Sequence, residues 1–360
     1  MIWAGLGIIF VSFWISFWAT PVAKRFSHRM GMLDVPSKHK AHGHPIAMLG
    51  GSAIFAGILL PSMLGLGLCC VWNANGIPGW IPKNFAVHIP GVVMRTPQAL
   101  GILAAAAVLH ILGLVDDRKN LGAWVKLLVQ IIVALGVVLF CNVRVMTFVG
   151  PVGSIIISVA WIVGITNSFN FLDNMDGLTA GVAIICAAAL LGAAASMGQL
   201  FVAGWVCLIL GALLGFLPYN FPPASIFMGD AGSLVIGFLL AVVSSLTTYV
   251  RPGQTHMLYG VFIPLLVMAV PIYDTISVMF IRIRQKRNPM VGDRSHFSHR
   301  LTKRGMTTRI TVLTIYLCTA STAIAATILP AVNGPVAAIL LFVQTIFTLG
   351  IIAVLEATDK

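Results

Sequence analysis

The stretch GLTAGVAIICAAALLGAAASMGQLFVAGWVCLILGALLGFL, residues 177–217, contains no Asp, Glu, Lys, Arg or His. A helix that crosses the hydrocarbon of a bilayer needs about 20 mostly apolar residues. The run is long enough for two such helices, and it reads as spans at 177–196 and 200–217. Composition agrees with that reading. Of 360 residues, 59% are hydrophobic and 9% are Asp, Glu, Lys or Arg, where an ordinary soluble domain carries about a quarter charged residues. So thin a polar shell cannot cover a soluble core of this size, and a water-soluble globule is excluded.

The same ruler gives nine further spans, at 2–22, 46–72, 97–115, 125–141, 155–170, 234–250, 258–281, 310–329 and 335–355. The expectation is an all-α integral membrane protein of about eleven transmembrane helices, a single polytopic domain over 1–360. The first span has no charge ahead of it and Lys24, Arg25 and Arg29 behind it. That reverses the pattern of a signal peptide and puts the N-terminus outside; an odd number of spans then leaves the C-terminus cytoplasmic. With this alternation 18 of the 22 Lys and Arg fall inside, as the positive-inside bias requires. All ten Asp and Glu fall inside as well. Acidic residues hardly influence insertion, so their placement points to work done on the cytoplasmic face. The six cysteines lie in apolar stretches without a CxxC or a nearby His and read as reduced, small hydrophobes.

Five inside segments collect the polar residues: 24–45, 116–126, 167–177, 218–233 and 282–309. The first holds four histidines and a basic cluster that suits phosphate or anionic lipid. In the second, Asp116-Asp117 precedes Lys126. Adjacent carboxylates invite a divalent cation or a raised pKa; a helix cap before a solvated turn fits them equally. In the third, Asn167, Asn170, Asp173 and Asp176 recur every three residues and offer oxygen ligands along one face of a helical turn. The fourth contains Phe227-Met-Gly-Asp230-Ala-Gly-Ser, whose small residues let backbone approach a phosphate at a helix start, with Phe227 placed to stack on a flat base. The fifth contains Asp293-Arg294-Ser295-His296-Phe-Ser298-His299-Arg300, a concentration of guanidinium and imidazole suited to a diphosphate and sugar hydroxyls. In the ninth span Pro264 and Pro271 precede Asp274, and the bend expected there could open a groove for a lipid chain.

Taken in order, these motifs resemble the polyprenyl-phosphate N-acetylhexosamine-1-phosphate transferases, over nearly the whole chain. The Asp-Arg-Ser-His-Phe-x-His-Arg-Leu pattern is similar to the bacterial undecaprenyl-phosphate GlcNAc-1-phosphate branch; the phospho-MurNAc-pentapeptide branch usually carries a His-His-His run and ten spans. Ser298 stands where members commonly have His.

The resemblance implies transfer of a sugar 1-phosphate from a UDP-N-acetylhexosamine to a polyprenyl phosphate, with release of UMP, at the inner membrane. This is the first membrane step of cell-envelope glycan synthesis. It implies Mg²⁺, or Mn²⁺, on Asp230 and Asn170. Asp116, Asp117, Asp173 and Asp176 take catalytic places, and Asp116 prepares the lipid phosphate. Lys126, Phe227, Arg300 and Asn167 meet phosphate or nucleotide, and Arg294, His296 and His299 the sugar or its diphosphate. Nucleic acid is not needed to explain the basic surplus, and a homodimer is compatible with it. A secondary transporter, the reading from another class, would place ionisable groups near the midplane; the span interiors here hold almost none, with His110 in the third span the exception.

Overall fold

Helix occupies each of the eleven apolar runs in the computed structural model, which describes residues 2–34, 45–249, 260–286, 295–329 and 335–357. Among the described residues nine helices are long and apolar enough to cross a membrane. In chain order the helices are α1 (Ile2–Met30), α2 (Gly50–Asn75), the short α3 (Lys83–Ala86) and α4 (Ile89–Met94), α5 (Thr96–Lys119), α6 (Ala123–Phe140), α7 (Pro151–Leu172), α8 (Leu178–Ser196), α9 (Leu200–Asn220) and α10 (Asp230–Leu246). They continue as α11 (Ile263–Val267), α12 (Ala269–Arg284), α13 (Phe297–Lys303), α14 (Thr308–Ile328) and α15 (Pro335–Ala357). Two-residue strands, β1 (Leu33–Asp34) and β2 (Ile46–Ala47), pair antiparallel between α1 and α2. The protein is therefore an α-helical, multi-pass membrane protein.

The eighth and ninth runs differ from the other nine. α10 has 17 residues, at the short end of what a spanning helix uses, and packs against α2, α5, α7, α8 and α9. Ala231 to Ser244 are buried without interruption, as expected of a helix that is apolar all round. The ninth run is broken at Met268 into α11 and α12. Pro271 has no N–H to offer the carbonyl four residues back; that carbonyl, on Val267, accepts the Cys186 thiol at 3.2 Å instead. The interruption falls between Pro264 and Pro271.

Backbone approaches backbone at the tip of α10. A Cβ added to Gly113 would lie 2.3 Å from the Ala231 nitrogen, and one on Gly51 2.2 Å from the Gly232 nitrogen. Gly113→Val is expected to lower the thermal midpoint by several degrees or prevent folding, since overpacking typically costs about 1–3 kcal/mol. A melt of detergent-purified protein checks this.

Alternation of the helices gathers the C-terminal ends of α5, α7 and α9 with the N-terminal ends of α2, α6, α8 and α10. Hydrogen bonds cross between these ends, as from Asn170 to Ser233 and from Gly177 to Asn220. The described parts of the five polar segments therefore lie at one end of the bundle. Residues 35–44 of the first and 287–294 of the fifth lie outside the described residues.

Candidate active site

Three helix ends supply the centre. α5 stops at Asn120, which adopts the left-handed conformation (φ 46°) that Asn tolerates better than most residues. The turn brings the Leu121 N–H onto Asp116 Oδ1 at 2.6 Å. From the first turn of α6, Lys126 Nζ donates to Asp116 Oδ2 at 2.8 Å and to Asp230 Oδ2 at 3.0 Å. One ammonium therefore bridges two carboxylates that are 104 and 10 residues away from it in the chain. Charge is not balanced, because two carboxylates share a single cation.

Asp117 points elsewhere. Its Oδ1 accepts the Asp230 N–H at 2.9 Å and its Oδ2 the Ala231 N–H at 3.2 Å, so it caps the N-terminus of α10 from another helix. Gly229 before it has φ 67°, and a Cβ there would meet Asp117 Oδ2 at 2.6 Å. Of the two readings of the Asp-Asp pair, Asp117 takes the capping one. Losing a cap costs about 0.5–2 kcal/mol. Asp117→Ala is therefore expected to lower the melting midpoint measurably and, by loosening Asp230, to reduce turnover. Unchanged melting would contradict the cap.

The polar stripe of α7 divides among four partners. Asn167 pairs with Gln130, one turn beyond Lys126, and donates to the Val163 carbonyl at 2.8 Å. Asn170 donates to Ser233 Oγ at 2.9 Å, which leaves its carbonyl oxygen for another group. The helix ends at Leu172, so Asp173 and Asp176 lie in the turn that follows. Asp176 accepts the Ala224 N–H at 2.9 Å and ties this turn to the segment after α9. Desolvation, and next the nearby Asp230 carboxylate, push the Asp173 carboxyl up to about 8. That rise comes first from burial of the carboxyl and only next from its acidic neighbours.

The Phe227 segment is clamped through its backbone. Its N–H donates to the Ala47 carbonyl at 2.8 Å and its carbonyl accepts the Gly50 N–H at 3.0 Å; the residue is half-buried.

The basic segment is built on the interrupted ninth run. Asp274, fully buried, takes His296 Nδ1 at 2.8 Å on Oδ2 and the Phe297 N–H at 3.1 Å on Oδ1. The His296 ring contacts Phe171 edge-on, and the His299 ring lies 6.4 Å from that of His296. Ser298 Oγ donates to Asn174 Oδ1 at 2.6 Å. Arg300, expected on a phosphate, is 2.9 Å from Glu356 Oε2 and donates to Ser277 Oγ at 3.1 Å. Tyr273 holds the other Glu356 oxygen at 2.7 Å. Arg294 lies outside the described residues. Gln130, Asn174, Ser233 and Glu356 were not singled out from the sequence. Helical spacing was a signal for two of them, since Gln130 follows Lys126 by four residues and Ser233 follows Asp230 by three.

Among the described residues no three His, Cys, Asp or Glu side chains form a ready metal cage. Magnesium does not ask for one: it binds through one or two protein oxygens with phosphates and waters. The Asp230 carboxylate and the Asn170 carbonyl oxygen, on neighbouring helix ends, fit that demand.

Glycosyl transferase family 4 matches residues 99–248, the span from α5 through α10 that carries Asp116, Lys126, Asn170 and Asp230. A Bacillus subtilis protein described as a probable undecaprenyl-phosphate N-acetylglucosaminyl 1-phosphate transferase is 32% identical over 336 residues, covering 91% of this chain and 86% of its own. The chain belongs to the polyprenyl-phosphate N-acetylhexosamine-1-phosphate transferase family. Other relatives of this transferase are a Mycobacterium tuberculosis decaprenyl-phosphate N-acetylglucosaminephosphotransferase, 33% identical over 84% of this chain and 77% of its own. An Escherichia coli O157:H7 undecaprenyl-phosphate alpha-N-acetylglucosaminyl 1-phosphate transferase is 28% identical over 83% and 76%. As a family member the chain is a phosphosugar transferase of the membrane.

Proposed function

We propose that this transferase moves GlcNAc 1-phosphate from UDP-GlcNAc to a polyprenyl phosphate, at the cytoplasmic face of the inner membrane. The observation that carries the reading is Lys126 held between Asp116 and Asp230 at the tip of α10, inside the segment that matches the family. The eleven-span topology, N-terminus outside and C-terminus cytoplasmic, is supported by the basic count and by the polar segments meeting at one end. Phospho-MurNAc-pentapeptide transfer is not favoured, because the relatives above are GlcNAc-1-phosphate transferases by name. Transport is disfavoured because the charged groups gather at one end rather than at mid-depth.

An oxygen of the lipid phosphate attacks the β-phosphorus of the sugar nucleotide. A new P–O–P bond forms, the bond from that phosphorus to the bridging oxygen breaks, and UMP departs with the electron pair. The second pKa of a phosphate monoester is near 6, so the nucleophile needs little activation; Asp116 orients it and accepts any remaining proton. Lys126 neutralises phosphate oxygens as charge moves toward UMP. Asp230 and Asn170 would hold Mg²⁺, which would spread the charge of the diphosphate. Asp117 acts through Asp230 by fixing the helix start. The Phe227 ring stacks on uracil, while Asp173 and Asp176 shape the nucleotide side of the cleft. Arg300 reaches phosphate only by leaving Glu356, whereas His296 and His299 face the sugar diphosphate.

The test uses purified protein, a polyprenyl phosphate, Mg²⁺ and either UDP-GlcNAc or UDP-GalNAc, scored for UMP. Release with UDP-GlcNAc, dependent on lipid and abolished by EDTA, is expected. UMP release undiminished in EDTA would overturn the metal, and release with UDP-GalNAc alone would overturn the sugar.

A further inference from the structure

A groove of about 720 Å³ runs between α1, the start of α2 and the end of α5. Its walls are apolar, with Val22 and Phe26 from α1, Ala53 from α2, and Ile111 and Val115 from α5. Arg118 and Lys119 close one end, both are exposed, and among the described residues neither is paired with a carboxylate. From Ala19 to Met30 the groove follows twelve residues of α1, about 16 Å at a rise of 1.5 Å between neighbours. That is about half of a 30 Å hydrocarbon core, the depth of one leaflet.

The groove and the candidate active site use different faces of α5. His110 meets the Ala231 carbonyl at 2.9 Å, Gly113 abuts Ala231, and Asp117 caps α10. At about 100° per residue, Ile111, Val115 and Arg118 lie roughly 130° round the helix from that set. The cationic end of the groove and Asp230 thus lie on different faces of α5, which points to an occupant other than the acceptor.

We propose that this groove seats an acyl chain of an anionic glycerophospholipid of the bilayer, with its headgroup phosphate between Arg118 and Lys119. Apolar walls of leaflet depth suit an acyl chain, and two unpaired cations at the polar end select a negative headgroup. Lys24, Arg25 and Arg29, on the adjoining end of α1, add to the positive field. The bound lipid braces the last two turns of α5, from whose other face Asp116 and Asp117 project. This inference stands independently of the reaction proposed above.

The full-length protein in mixed micelles is titrated with fluorescent phosphatidylglycerol and, separately, fluorescent phosphatidylcholine. Each basic residue near a membrane surface contributes about fivefold in affinity for anionic lipid, so phosphatidylglycerol is expected to bind roughly 25-fold tighter. The double variant R118Q/K119Q is expected to erase that preference. Ala23→Phe, which fills the channel and keeps both cations, is expected to weaken both lipids alike; if it does not fold, R118Q/K119Q decides. Equal binding of the two lipids by the unaltered protein would overturn the proposal, as would an undiminished preference in R118Q/K119Q. Unlabelled polyprenyl phosphate that displaces the probe at lower concentration than phosphatidylglycerol does would assign the groove to the acceptor and also overturn it.

Discussion

Asp230→Ala is expected to lower kcat at least about a hundredfold at any practical Mg²⁺ concentration, the range seen when a preorganised charge-stabilising group is removed. The substitution deletes the carboxylate proposed to hold the metal and leaves the local fold intact. The residue-230 N–H still meets Asp117, and Lys126 keeps Asp116. A melting midpoint within a degree or two of the unaltered protein is therefore expected alongside the lost rate. A variant that retains more than about a tenth of the rate has lost less than about 1.4 kcal/mol of transition-state stabilisation, which would sink the metal assignment.

Lys126→Met is the second large effect. Methionine keeps the unbranched stem of the side chain and removes the ammonium that contacts Asp116 at 2.8 Å and Asp230 at 3.0 Å. Two carboxylates then face one another, and one of them must take up a proton or recruit a cation. The same change deprives the migrating phosphoryl group of its fixed positive charge. Turnover is expected to fall about a hundredfold or more, without rescue by added Mg²⁺. Because both partners act as one unit, adding Asp116→Asn to Lys126→Met should cost much less than the sum of the single losses. Additive losses in that double-mutant cycle would show that Lys126 and Asp116 work separately.

The apolar runs were legible as helices because a bilayer sets both length and composition, and all eleven hold helix. The sequence did not show that the eighth is short and buried on every side, since burial against five neighbours and burial in lipid ask for the same residues. Among the polar groups, the Asp116-Asp117 pair was read as one unit. Neighbours on a helix do not face each other, and the structure divides them between Lys126 and the tip of α10. The three-residue recurrence from Asn167 to Asp176 assumed continuous helix, whereas α7 stops at Leu172. Half the stripe then lies on a turn with partners of its own. Asp274 was visible as a lone acid after two prolines, but its bond to His296, 22 residues on, depends on how α12 and α13 dock. No local pattern encodes that.

The burial of α10 also restricts which changes in chain length the protein can accept. Its packed positions run without a gap from Ala231 to Ser244, and its first residue is Asp230. Inserting one residue within this helix would turn its tip by about 100° and move it about 1.5 Å against the packed remainder. Asp230 would then swing away from Lys126. Insertions and deletions should thus be absent from α10 in active homologues and collect in the stretch between α2 and α4, where exposed residues such as Trp80 and Val87 carry no part of the centre.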